Sequence, residues 1–257
     1  MSDNEDSVLV STEDGVMVIT INRFKARNSV NKAVAEGVAA AMDELDANND
    51  IRVAVLTGAG GTFCAGMDLK AFVTGELPLI EGKGFCGFVE APPKKPLIAA
   101  VEGYALGGGC ELVCASDLAV AAADAQMGIP EVKRGLIAGA GGLIRLPKQI
   151  PQRMAMEMAL TGELISAQRA YELGLVNRVV ESGKALEGAM EMARQIAANG
   201  PLATAASKRI INESVDWSLD EQFDKQTPIM AAVGTSEDAI EGATAFAEKR
   251  APVWKGK

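Results

Sequence analysis

Short runs and alternations of apolar residues open the chain, and three- and four-residue spacings dominate further along. Val8-Leu9-Val10 and Val16-Met17-Val18-Ile19-Thr20-Ile21 read as two strands, with Glu13-Asp14-Gly15 supplying the turn between them. From Asn31 to Leu45 the residues Val34, Val38, Ala41, Met42 and Leu45 recur at helical intervals and predict an amphipathic helix, which a buried strand at Val53–Thr57 follows. The same order returns in a strand at Leu97–Val101, a helix from about Gly108 to Cys114 and a strand from Asp117 to Val120. This alternation predicts an α/β fold. Between residues 70 and 95, Gly75, Pro78, Gly82, Gly84, Gly87, Pro92 and Pro93 exclude a long helix and predict a mobile or ligand-covering segment. Beyond Pro147 the pattern is helical, except for a strand expected at Leu175–Val180 after a helix that Ser166 starts and Gly174 stops. Short helices separated by Gly200-Pro201, Ser218 and Gly234-Thr235 predict a helical C-terminal region. The expected division is a core over 1–198 and that region over 199–257.

Composition narrows the function. With 257 residues, 48% apolar and 23% charged, the chain can bury the core of one main domain. A net charge of −9 argues against nucleic acid as a partner. The acidic start Met1–Asp6 is the opposite of a signal peptide, and no apolar run approaches the ~20 residues of a membrane span. A soluble cytoplasmic protein with no membrane partner is expected. Cys64, Cys86, Cys110 and Cys114 form no CxxC pair, so buried reduced thiols are predicted and no metal site. The chain has no histidine, which excludes Ser-His-Asp and Cys-His chemistry and leaves proton transfer to carboxylates, lysines, tyrosines or cysteines.

Several glycine turns fail as nucleotide sites. Thr57-Gly58-Ala59-Gly60-Gly61 has Phe63 in place of the third glycine, Gly139-Ala140-Gly141-Gly142 has Ile144 there, and no phosphate loop or nucleophile elbow occurs. Two turns remain, Cys64-Ala65-Gly66-Met67-Asp68 and Gly107-Gly108-Gly109. One amide from each, converging on a carbonyl oxygen, makes an oxyanion hole. In the alternative, Asp68 caps a helix beginning near Leu69 and the glycines allow close packing. Glu111, behind the three glycines, and Glu131, after Pro130, are candidate acid and base, or else helix-start residues favoured by the dipole.

These motifs, with Asn22–Asn28, Ile98–Glu111, Gly128–Glu131, Ser236–Gly242 and Phe246–Arg250, resemble the crotonase superfamily, and within it the enoyl-CoA hydratases. The resemblance implies a spiral of repeated ββα units with a helical C-terminal trimerisation region, assembled as a homotrimer or homohexamer. It implies an acyl-CoA thioester as partner, with coenzyme A part of the substrate and no separate cofactor. The Met67 and Gly108 amides would hold the thioester oxygen, among substrate-binding residues Ala65, Gly66, Asp68, Leu69, Gly107 and Gly141. Lys25 and Arg27 would meet the coenzyme, and Phe246 and Lys249 would reach it from a neighbouring subunit, although a solvated helix face equally suits Lys249. Glu111 would deprotonate water and Glu131 supply a proton to C2, in reversible syn hydration of a trans-2-enoyl-CoA. That division requires Glu131 protonated.

Met67 stands where the family often has alanine, Met127 where it often has phenylalanine and Ala138 where it often has proline, which leaves acyl specificity open. The C-terminal stretch from Ser236 to Lys257 is especially similar to crotonobetainyl-CoA (carnitinyl-CoA) hydratases. That activity, Δ3,Δ2-enoyl-CoA isomerisation with one carboxylate near position 131, and non-catalytic acyl-CoA binding are the alternatives.

Overall fold

Positive φ at Asp14 and Gly15, 50° and 76°, turns β1 (Val8–Glu13) back on β2 (Val16–Ile21) in the expected antiparallel hairpin. The computed structural model describes residues 6–257, and the acidic start from Met1 to Glu5 lies outside the described residues. Asn31 accepts the Val34 N–H and caps α1 (Lys32–Ala47), a cap worth about 1 kcal/mol. The apolar stripe of α1 is buried from Val34 to Leu45, as its spacing predicts. It leads to β3 (Val53–Gly58), buried on both faces.

The segment from 69 to 95 holds only α2 (Leu69–Val73) and two short strands, β4 (Leu79–Ile80) and β5 (Gly84–Phe85). After it come β6 (Leu97–Val101), β7 (Tyr104–Leu106), α3 (Gly108–Ala115), β8 (Leu118–Ala122) and β9 (Gln126–Gly128), then a 3-10 turn over Pro130–Arg134. Next are α4 (Gly142–Gln149), α5 (Gln152–Thr161), β10 (Ile165–Ser166), α6 (Ala167–Leu173), β11 (Arg178–Val180) and α7 (Ala185–Ala197). Three C-terminal helices follow, α8 (Pro201–Ser214), α9 (Gln222–Gly234) and α10 (Glu237–Glu248).

The strands form a six-stranded sheet, β1-β2-β3-β6-β8-β11, parallel from β2 onward, and a smaller sheet, β10-β9-β7. Each of β6 and β8 continues into a strand of the second sheet, and a bridge from Cys64 to Ala105 adds the chain after β3 to its edge. This is the repeated ββα order. It stacks successive strand ends, so that the turns after β3 and β7 lie side by side.

Two boundaries differ from expectation. The strand expected at Leu175 starts at Arg178, because Gly174 adopts φ 84° and the Leu175 N–H closes α6 on the Ala170 carbonyl at 2.8 Å. Asn177 then opens the ladder by a two-way exchange with Ala119. Helix α4 begins at Gly142, ahead of Pro147, which lies inside it. All four cysteines are free and buried. No helix among the described residues is long and apolar enough to cross a membrane.

Candidate active site

The site begins where the chain after β3 meets β7. Cys64 N–H donates to the Tyr104 carbonyl at 2.9 Å, and Leu106 N–H donates to that of Cys64 at 2.9 Å. On the other side, Val30 N–H donates to Gly66 O at 2.8 Å and Asp68 N–H to Val30 O at 2.9 Å. These four bonds fix the turn on both flanks and leave the Met67 N–H between them unspent among the described residues. The Gly108 N–H, first of α3, has no carbonyl one turn earlier to receive it. A Cβ on Gly66 would fall 3.2 Å from Gly108 N and 2.8 Å from Leu106 O, so the two turns are in contact. Two unspent amides therefore stand together, an arrangement that can receive one partly charged oxygen.

The three glycines have different physical reasons. Gly107 has φ 56°, and a Cβ there would lie 2.9 Å from Glu131 Oε1. A Cβ on Gly108 would meet the Phe85 ring at 2.6 Å, and one on Gly109 would sit 2.1 Å from the Cys64 carbonyl. Close packing requires glycine at all three positions, and Gly108 is also the first residue of α3, where its amide has no carbonyl one turn earlier.

Glu111 projects from the first turn of α3 and is 2% exposed. Its Oε1 accepts the Gly142 N–H at 2.8 Å. Burial raises its pKa against the opposing pull of the Gly142 and Ala140 amides and the Arg145 charge. Glu131, on the 3-10 turn after β9, is raised further, to about 7, by burial and then by the negative charge of Glu111, with its own amide opposing. Its Oε2 is buried without a hydrogen-bond partner among the described residues. Burial without a donor favours the neutral carboxyl, whereas amides favour the ionised one, and acid and base roles draw on such a difference.

Both carboxyl groups open on one cavity of about 540 Å³. Ala65, Gly66, Met67, Leu69, Gly107 and Gly108 line it, as do Phe72, Leu77, Pro78, Leu79 and Phe85 from the glycine-rich segment that was expected to cover a ligand. Such a volume suits a small-molecule ligand held by apolar walls and a few polar groups.

Other expected residues lie elsewhere. Asp68 caps α2, accepting the Lys70 N–H at 3.0 Å, and pairs with Arg23 at 2.9 Å, so its carboxylate supports the turn from outside the cavity wall. Gly141, with φ 99°, caps α4, and it is Gly142 whose amide reaches Glu111. Lys25 and Arg27 are exposed on the loop before α1, outside the cavity lining, although the Arg27 carbonyl accepts the Ala65 N–H at 3.0 Å. Phe246 is 88% exposed near the end of α10, and Lys249 ends that helix, neither of them at this chain's cavity. Glu90, Lys133 and Arg134 also line the cavity and carried no sequence signal beyond a basic pair two residues after Glu131.

Comparison with known proteins identifies the family. The model of the family described as Enoyl-CoA hydratase/isomerase matches residues 11–257. The enoyl-CoA hydratase EchA19 of Mycobacterium tuberculosis is 42% identical, with 97% of this chain and 96% of that protein covered. A carnitinyl-CoA dehydratase of Salmonella typhi is 40% identical over 98% of this chain and 99% of its own. The crystal structure of the enoyl-CoA hydratase EchA1 from Mycobacterium marinum superposes with a TM-score of 0.97 at 60% identity, covering 98% of this chain and 100% of that one.

Proposed function

The chain belongs to the enoyl-CoA hydratase/isomerase family, and from that premise we propose that it reversibly hydrates the C2=C3 bond of a trans-2-enoyl-CoA thioester. The observation that carries this reading is the pair of carboxyl groups on one cavity beside two unspent amides, one of them raised to about 7. The Met67 and Gly108 N–H groups hold the thioester oxygen and stabilise enolate character as the π electrons move toward it. One such donor is typically worth ~2.7–4 kcal/mol in the transition state. Ionised Glu111 takes a proton from water as the water oxygen bonds to C3, and protonated Glu131 gives its proton to C2. Exchange with solvent restores both groups, and dehydration runs the same steps in reverse.

Lys133 and Arg134, on the cavity wall, offer positive charge to coenzyme A in a chain of net charge −9. No separate cofactor is needed for this chemistry. Helices α8 and α9 have no fully buried residue, while Ile211, Leu219 and Phe223 are 69%, 82% and 69% exposed. We assign residues 199–257 to contacts between copies in a homotrimer or homohexamer, where Phe246 and Lys249 come within reach of a neighbour's coenzyme. Lys25 and Arg27 belong to the same proposal as contacts for the coenzyme, and a cytoplasmic location, where such thioesters occur, completes it.

Mixing the protein with crotonyl-CoA and longer enoyl-CoA chains and following loss of enoyl absorbance tests the activity. Wild-type turnover that drops 10²–10⁴-fold in Glu111→Gln supports the paired carboxylates. No hydration on any chain length refutes the reading, and double-bond migration that survives Glu111→Gln favours isomerisation. Carnitinyl-CoA chemistry is a second reading, favoured by the 40% identical dehydratase and by the Glu90 carboxylate on the cavity wall, which suits a cationic acyl group. A preference for crotonyl-CoA over crotonobetainyl-CoA counts against it.

A further inference from the structure

Arg145, on α4, is a cation without an ion pair among the described residues, and it reaches into the catalytic cluster from behind. One guanidinium nitrogen donates to the Val89 carbonyl, on the segment between β5 and β6 that walls the cavity. The other lies 3.5 Å from the carbonyl of Ala140, whose turn presents Gly142 N–H to Glu111 Oε1 at 2.8 Å. The side chain passes directly over Gly141, where a Cβ would lie 2.0 Å from Nη1. A side chain at 141 and the guanidinium in this position are therefore incompatible.

We propose that Arg145 is a positioning residue of the reaction: it ties the backbone at Val89, next to the cavity-lining Glu90, to the turn that holds Glu111, and it sets its positive charge behind that turn. The inference rests on the reading of Glu111 as the base for water. Glu131, neutral in the proposed mechanism, is the neighbouring carboxyl that the Glu111 charge acts on, and the Cys110 and Cys114 thiols share the Glu111 helix. Glu90, Lys133 and Arg134 stand on the shared cavity wall. Lys148 on α4 and Tyr104 on β7, the elements packed on α3, are solvent-exposed. Arg145 is the cation that acts on the Glu111 carboxyl.

The sign of the effect follows. The acid limb of the kcat/KM profile marks loss of ionised Glu111, and removing a nearby cation moves that limb to higher pH. The test is kcat/KM and KM for crotonyl-CoA against pH in wild type, Arg145→Gln and Arg145→Lys, with circular dichroism to verify folding. Arg145→Gln is expected to shift the limb upward and lose roughly tenfold on the acid side, the lower end of what one opposite charge does to a carboxylate. Arg145→Lys is expected to hold the limb near its wild-type position yet raise KM, because one ammonium cannot bridge two carbonyls as a planar fork does. An unmoved limb in folded Arg145→Gln overturns the proposal. So do equal losses in both variants at every pH. If Arg145→Gln does not fold, Arg145→Lys alone decides, and an unchanged KM overturns the proposal. A wild type that hydrates nothing refutes the assigned reaction instead, which keeps the two failures distinct.

Discussion

Glu131→Gln should give a protein that is nearly inactive and, at alkaline pH, more heat-stable than the wild type. Burial and the neighbouring Glu111 charge raise Glu131 from 4.5 to about 7 in the fold, whereas in the unfolded chain it titrates near its ordinary value. Between those two values the folded state binds the extra proton, so stability is full below 4.5, falls as pH rises, and has lost the whole contribution above about 7. A rise of this size corresponds to roughly 3 kcal/mol in a fully desolvated site. The carboxyl opens partly on the cavity, and solvent screening brings this to about 1–2 kcal/mol. Glutamine keeps the shape and removes the charge. In a domain of this length that gain raises the melting temperature by roughly 4 °C near pH 8. The gain should fade toward pH 5, while turnover of crotonyl-CoA falls ~10²–10⁴-fold at every pH. Thermal melts of both proteins across that range measure it. A glutamine variant that is less stable near pH 8, or a stability gap that does not change with pH, would refute the assignment of a raised carboxyl at this position.

Two further substitutions separate framework from chemistry. Gly109→Ala places a Cβ 2.1 Å from the Cys64 carbonyl, a backbone atom that cannot step aside, and should cost about 2–3 kcal/mol in denaturant titrations. Asp68→Ala removes the α2 cap and the Arg23 pair, for a loss of about 1 kcal/mol. Burial opposes ionisation of Asp68, but Arg23 and the Ala71 and Lys70 amides outweigh it and hold its pKa below 3.8. Its stabilisation is therefore present above pH 3.8 and disappears as pH falls through the depressed value, so wild type and variant should converge there in acid melts.

Periodicity located β1 to β3 and α1, because each has a buried face whose spacing is local, while local breakers bounded the C-terminal helices and Ser166 and Gly174 bounded α6. It misjudged Leu175–Asn177, where a helix C-terminal motif captures apolar residues that resemble a strand. At the site, the absence of histidine and the glycines before Glu111 were readable. The contribution of Gly142 and Arg145 was not, since each reaches Glu111 across a separation of about thirty residues that no local pattern encodes.

Local pattern and composition were enough for the α/β class and the candidate carboxylates, and resemblance for the family. Only the tertiary structure showed what a Cβ would strike at each glycine, Glu131 at 107, Phe85 at 108 and the Cys64 carbonyl at 109, and that the Gly108 amide at the start of α3 lies against the turn at Gly66. It also separated the two glutamates. Identical side chains in one cavity differ in their surroundings: Glu111 is held by amides with the Arg145 charge nearby, whereas Glu131 has a buried oxygen with no donor among the described residues. Proton affinity is set by that surrounding, and surroundings are assembled only when distant segments fold together.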